Sequence, residues 1–342
     1  MNPPLLALGG PTGVGKSALA FALAEELGGE IVTADSRQVY RGMDIGTDKP
    51  PPWERARVPH HGLDLADPDE RFTLAAYQAH AGAAIAAIHA RGRLPILSGG
   101  TPLYLAAILE GWGLPAVAPD PTLRAALEAR AATAGPAALH AELTRRDPAA
   151  AAKILPGNTR RLVRALEVIY TTGRPFSEQS ARVPPPYRIG WLALSAERGE
   201  LHRRIDARVA REVADGLVEE AAGLHARGYG WELPSMTGLG YRQFAPYLRG
   251  AVTLDTAMQQ LRWDTHAFVR HQYTWFRRNP VWIWIDTTAG LPLAALTARV
   301  RAWYASDSLG ESDAHALPHP LTRLGQPAKD RSPQAPQDRA GF

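Results

Sequence analysis

The stretch LLALGGPTGVGKSALAFALAEEL, Leu5 to Leu27, decides how the rest of the chain is read. Leu5 to Gly9 is a short apolar run that predicts a buried strand, Lys16 to about Leu27 predicts a helix, and a glycine-rich turn joins them. That turn, Gly10, Pro11, Thr12, Gly13, Val14, Gly15, Lys16 and Ser17, fits G-x-x-x-x-G-K-[ST] between the strand and helix that its mechanism requires. Glycines let backbone N–H groups curl around a phosphate, and the helix N-terminus adds its positive end. Lys16 supplies a point charge, and Ser17 can ligate Mg²⁺. The loop does not say which phosphate: a nucleotide such as ATP is the usual cargo, but any pyrophosphate fits the same cradle.

Working outward, Glu30 to Ala34 is a second apolar run ending at Asp35, and strand, helix, strand is the opening of a parallel α/β sheet. Thr73 to Ala90 reads as an alanine-rich helix, Leu94 to Leu97 as a strand running into Ser98, Gly99, Gly100 and Thr101, and Pro102 to Leu109 as a helix. Gly113, Pro115, Pro119 and Pro121 then mark a boundary, and from there to about Pro186 only helical periodicity is visible. The clearest case is RRLVRALEVIY, where Leu162, Val163, Leu166, Ile169 and Tyr170 recur at helical spacing and Arg160, Arg164 and Glu167 take the other face. Strand character returns at Arg188 to Leu194. Long helices are expected at about Ala196 to Arg227 and Thr253 to Arg278, with a last core strand at Val281 to Ile285. The organisation is therefore a core in two parts, 1–112 and 187–306, around a helical insertion, 113–186. The proline-rich remainder, 307–342, is expected to be a disordered tail.

The whole chain of 342 residues is long enough for a sizeable core. It has no cysteine, which excludes a disulfide scaffold, a thiol nucleophile, an iron–sulfur cluster and thiolate zinc sites. No apolar stretch approaches the roughly 18 to 20 residues that span a bilayer, and Leu5 to Leu8 is too short for a secretory segment, so a soluble, cytoplasmic protein without a membrane partner is the expectation. Of 38 basic residues only Lys16, Lys49, Lys153 and Lys329 are lysines. Between Pro121 and Gly190 there are 11 Lys and Arg against 5 Asp and Glu, an excess of six in a chain whose net charge is +4. Such a basic segment suits a phosphate-rich partner, or it decorates solvated helices.

Asp35 stands at a strand end, the edge of a doubly wound sheet where ligands collect. It could hold Mg²⁺ through water, act as a general base, or cap a turn through Ser36 or Arg37. Thr101 is placed for a polar contact in the same crevice. Arg204, Arg208 and Arg211 lie one helical turn apart, opposite Leu201, Ile205 and Val209, as a solvated face or as a clamp on a departing phosphate. Arg262, His266, Arg270, Tyr273 and Arg277 share a face of the last long helix, a mixture of basic and stacking groups that suits nucleic acid.

GPTGVGKS (Gly10 to Ser17), DSRQVYRGMDIGTDKP (Asp35 to Pro50), LSGGTPLYL (Leu97 to Leu105), RRLVRALEV (Arg160 to Val168), LHRRIDARV (Leu201 to Val209), GLGYRQF (Gly238 to Phe244) and QYTWFRR (Gln272 to Arg278) together resemble the tRNA dimethylallyltransferases. The blocks follow the family's order to about residue 286. The resemblance implies an α/β fold, a P-loop NTPase-like parallel sheet core with an inserted all-helical domain. It implies that the loop holds dimethylallyl diphosphate, and that the acceptor is the N6 amine of the adenosine after the anticodon, position 37 of tRNA. It makes Asp35 the base and has Lys16, Ser17 with Mg²⁺, Thr101 and Arg208 stabilise the departing diphosphate. It sets Asp35, Ser36, Arg37, Gln38, Thr101, Arg124, Arg160, Arg161, Leu162, Val163 and Arg164 against the tRNA, whose target base must be flipped outward. The expected protein is a monomer. His266 and His271 depart from the basic residues common there in the family.

Two other readings keep the loop and the early sheet. One is a small-molecule kinase or a prenyltransferase on free adenine nucleotides, which would not need the basic insertion. The other is a nucleotide-controlled RNA-binding module, which would not need a proton acceptor at Asp35.

Overall fold

The apolar runs are buried on both faces and pair side by side in parallel, as strands connected through helices must. β1 (Pro4–Gly9), β2 (Glu30–Thr33), β3 (His60–His61), β4 (Pro95–Ser98), β5 (Arg188–Ser195) and β6 (Ile283–Asp286) form one sheet in the order β3-β2-β4-β1-β5-β6. Every neighbouring pair is parallel. Leu8 lies opposite both Ser98 and Leu192, and Thr33 lies opposite Ser98, so the strands end along one edge. In this computed structural model residues 2–306 are described, and the tail expected over 307–342 lies outside them.

Among the described residues the sheet belongs to a unit made of 2–71, Ile85–Pro102 and 187–306. Its core joins Leu6, Leu8, Ile96, Leu192 and Ile285 of the strands to Leu23 of the helix Lys16–Leu27 and to Leu201, Ile205 and Val269 of later helices. Each fully buried leucine of this kind stabilises the fold by about 2 kcal/mol. A helix over Leu293–Ala305, not read from the sequence, closes this core with Leu296, Val300 and Trp303. Its signal was present: those three residues recur at helical spacing.

Two expectations change in this unit. The helix expected from Ala196 to Arg227 is two helices, Arg198–Ala214 and Leu217–Ala226, because Gly216 takes φ 103° and ends the first run. The last strand starts at Ile283 rather than Val281.

The second unit, Phe72–Ala84 with Leu103–Pro186, is helical throughout its regular structure. It begins earlier than the glycine and proline boundary at Gly113 and takes in the first turns of the helix Leu74–Ala90. Its separate core is built from Leu127, Leu139, Leu143, Ile154, Leu162, Val163, Leu166 and Ile169. Among the described residues no helix is long and apolar enough to cross a membrane.

Candidate active site

Gly10, Gly13 and Gly15 adopt φ of 125°, 83° and 92°, and this backbone curl is what the glycines of the loop permit. Gly15 precedes the helix Lys16–Leu27 with no side chain capping its N–H groups, so the first turn is left to a ligand. Lys16 Nζ donates to Pro11 O at 2.6 Å, crossing its own loop. Burial lowers the Lys16 ammonium to about 8; Arg208 adds to this, while Asp35 and Asp48 oppose it. Lys16 is thus cationic below that pH.

Asp35 follows β2, and its Oδ1 accepts the N–H of Arg37 at 2.8 Å and of Gln38 at 3.4 Å. The turn-capping reading of this carboxylate is therefore correct for one oxygen. Oδ2 accepts no hydrogen bond from the described residues. Thr101, at the end of the β4 segment, joins this corner. Its N–H donates to Ala34 O at 3.1 Å, its Oγ1 accepts the Ser36 N–H at 3.0 Å, and the same hydroxyl donates to Ser36 Oγ at 3.3 Å.

Arg208 does not face solvent alone. Its Nη1 donates to Thr12 Oγ1 at 3.1 Å and lies 3.1 Å from Asp48 Oδ2, while Nε donates to Glu212 Oε1 at 2.5 Å. The arginine row divides by role: Arg204 spends its guanidinium on the Thr287 and Thr288 carbonyls, at 2.7 and 3.1 Å, and Arg211 is exposed.

Two residues missed in the sequence hold the loop from behind. Gln272, almost fully buried, accepts the Thr12 N–H on Oε1 at 3.0 Å and donates from Nε2 to Gly100 O at 2.7 Å, so one amide ties the ends of β1 and β4 together. A Cβ on Gly100 would stand 2.6 Å from that amide nitrogen, which explains the small residue there. Thr287 Oγ1 bonds to Val14 O at 3.1 Å and to Ser195 O at 3.0 Å. The block containing Gln272 was recognisable, but nothing local to it points to the phosphate loop.

The other residues of the Asp35 block support its shape. Arg37 donates to Pro234 O and Ser235 O, and buried Gln38 donates from Nε2 to Thr47 O at 2.9 Å and Asp48 O at 3.0 Å. Both side chains, expected against tRNA, bond within the fold. Lys49, also buried, pairs with Asp44 at 2.7 Å and Asp64 at 2.6 Å. The Glu220 carboxylate accepts the N–H groups of Asp44, Ile45 and Gly46 together with the Tyr241 hydroxyl.

In the helical unit the expected tRNA residues separate in the same way. Arg160 and Arg161 are exposed, whereas Leu162 and Val163 lie in the core, where their apolar side chains support the helix Thr159–Thr172. Arg124 and Arg164 both bind Glu167, which is fully buried rather than on a solvated face. Burial alone would raise the Glu167 carboxyl, but hydrogen bonds from Arg124, Arg164 and the Asp120 N–H outweigh it and hold the group at about 2. Arg164 also donates to Val117 O at 3.1 Å and Pro115 O at 3.3 Å, so it fastens the preceding segment to this helix. His266 Nε2 lies 3.0 Å from Asp206 Oδ1 and its ring stacks on His202, while His271 is exposed.

A glycine-rich loop at a sheet edge thus stands near a carboxylate with one oxygen unbonded among the described residues. The model of the IPP transferase family matches residues 38–279. A tRNA dimethylallyltransferase of Roseiflexus sp. (strain RS-1) is 56% identical over 300 residues, covering 88% of this chain and 98% of that protein. One of Roseiflexus castenholzii is 60% identical over 277 residues, covering 81% and 90%. Among solved structures, the tRNA isopentenylpyrophosphate transferase of Bacillus halodurans superposes with a TM-score of 0.65 at 40% identity, covering 88% of this chain and 95% of that one. A eukaryotic dimethylallyltransferase acting on tRNA gives 0.76 at 25% identity, covering 94% and 84%. The chain belongs to the IPP transferase family, with the P-loop NTPase-like fold of its structural neighbours, and is a prenyl transferase.

Proposed function

We propose that this chain transfers a dimethylallyl group from dimethylallyl diphosphate to the N6 amine of adenosine 37 in tRNA, releasing diphosphate. The observation that carries the reading is the pairing of the phosphate loop with Asp35, whose Oδ1 is fixed in a turn and whose Oδ2 is free. The exocyclic amine of adenine is a poor nucleophile because its lone pair is delocalised into the ring. Asp35 Oδ2 takes its proton as nitrogen attacks the allylic carbon and the carbon–oxygen bond to diphosphate breaks. Charge grows on the diphosphate, and Lys16, Arg208 and the N–H groups of the helix start neutralise it in place. Thr101 fixes Ser36 beside Asp35 and so orients this corner.

The donor set suits Mg²⁺ held largely by the substrate. Ser17 offers a hydroxyl beside the phosphates, and the described residues form no group of three or more His, Asp or Glu that would hold a metal by itself. Bound at Ser17, Mg²⁺ would neutralise charge on the leaving diphosphate. Arg160 and Arg161, exposed on the helix Thr159–Thr172, are available to the backbone of an anticodon stem. The target adenosine leaves its stack to reach the carboxylate.

The test is incubation of the purified protein with Mg²⁺ and radiolabelled dimethylallyl diphosphate, offering unmodified tRNA or adenosine monophosphate as acceptor. Label in the tRNA supports the reading. Label only in the free nucleotide would replace it with a nucleotide prenyltransferase.

A further inference from the structure

Asp48 occupies a position that the mechanism above does not use. It is one of two residues other than glycine with a positive φ among the described residues, at 52°. Its main chain is held at both ends, since the N–H donates to Ile45 O at 3.0 Å and the carbonyl accepts Gln38 Nε2 at 3.0 Å. The next residue, Lys49, is buried and paired with Asp44 and Asp64. The backbone therefore fixes where this carboxylate stands, and it stands with Oδ2 3.1 Å from Arg208 Nη1. That nitrogen also donates to Thr12 Oγ1 of the phosphate loop at 3.1 Å. The Asp48 carboxylate is half exposed, and it lies close enough to Lys16 to favour the ammonium.

A fixed anion beside two cations of a phosphate site weakens that site for an anionic ligand. It also gives the guanidinium a partner when no ligand is present, which an arginine drawn from water needs. We propose that Asp48 is a resident counter-anion for Arg208, displaced when diphosphate binds and returning as it leaves, so that it sets both substrate affinity and the ease of product release. This rests on the reading of Arg208 as a diphosphate ligand. Arg208 keeps Glu212 on Nε throughout, while Nη1 alternates between Asp48 and the anion brought by the substrate, and Asp48 limits how tightly the product can stay.

Calorimetric titration of the full chain with inorganic diphosphate and Mg²⁺ tests this, using D48N, R208Q and the double variant. Asn tolerates the left-handed conformation, and D48G, which accepts it as readily, is a second neutral variant should D48N fold poorly. The expected result is diphosphate binding about three- to tenfold tighter in D48N than in the wild type at low salt, with the gap narrowing as salt rises. R208Q should bind more weakly, and D48N on that background should change affinity by less than about twofold, because the two side chains act as one pair. Weaker binding in R208Q with no tightening in D48N overturns the proposal and leaves Arg208 as a ligand. Unchanged binding in R208Q removes Arg208 from the site and the proposal with it. Weaker binding in D48N that excess Mg²⁺ restores makes Asp48 a metal ligand instead, and also overturns it.

Discussion

Asp35 divides its carboxylate between two tasks: Oδ1 builds the turn through Arg37 and Gln38, and the turn in turn aims Oδ2. Asp35→Asn keeps an oxygen for the turn but has no basic site to offer. It should hold both substrates within about tenfold while single-turnover transfer falls by at least about 10²-fold, which rapid-quench kinetics on preformed complexes would measure. Lys16 gives a pH dependence with a definite sign. With its ammonium lowered to about 8, it is charged below that pH and neutral above, so the KM for dimethylallyl diphosphate should rise as pH passes upward through 8. A pH profile of KM for Lys16→Arg, which stays charged, should lose that rise. Lys16 was legible from its loop motif, and Asp35, Thr101 and Arg208 stood out by strand end or helix face, their roles being what the family resemblance implies. Gln272 was not legible, because it bonds Thr12 across 260 positions of sequence. Gln272→Leu leaves the Thr12 N–H and the Gly100 carbonyl unpaired in a buried place, and should raise the KM for dimethylallyl diphosphate by about tenfold or more while leaving that for tRNA near the wild-type value.

On the scale of a single helix, Thr159–Thr172 shows how an amphipathic pattern can be read correctly and still mislead. Its apolar face packs as the spacing requires, but Glu167 on the polar face is buried under Arg124 and Arg164. Periodicity counts hydrophobic positions; it carries no sign of the segment 115–120 that lies over the polar side and is bonded there. Arg164 accordingly bonds within the fold. Arg164→Ala should lower the thermal stability of the chain by about 1–3 kcal/mol, since it leaves the buried carboxylate short of a partner. The carboxyl of Glu167 is lower in the folded chain than in the unfolded one, so its stabilisation is complete above pH 4.5 and is lost as pH falls toward 2. Arg160→Ala with Arg161→Ala should behave in the opposite way. The melt stays at the wild-type temperature, and filter binding of tRNA across a salt series weakens with a flatter slope of log K against log salt. Unchanged affinity and slope would return both arginines to the solvated surface.

For the molecule as a whole, the sheet explains why residues so distant in sequence form one site. Parallel strands end on one edge, and the segments after β1, β2, β4 and β6 supply the phosphate loop, Asp35, Thr101 and Thr287, with Ser195 at the end of β5 bonded to Thr287. The parallel α/β core was legible from strand, loop and helix in the opening of the chain, and β4, β5 and β6 from short apolar runs, whereas the two-residue β3, His60–His61, has no such run and was not read. The order of the strands was not legible, because it depends on packing rather than on any local pattern, and the closing helix Leu293–Ala305 went unread although its apolar spacing was there. The central claim is that the phosphate at this edge is the diphosphate of an allylic donor and that the acceptor is an adenosine of tRNA. It is tested most directly by reacting the chain with dimethylallyl diphosphate, Mg²⁺ and an anticodon stem-loop, then measuring released diphosphate and mapping the modified nucleoside by mass spectrometry. The account predicts one diphosphate for each dimethylallyl group, every group on N6 of adenosine 37, and no reaction when guanosine replaces that adenosine. Transfer that persists on the guanosine stem-loop, or consumption of the donor without RNA modification, would contradict it.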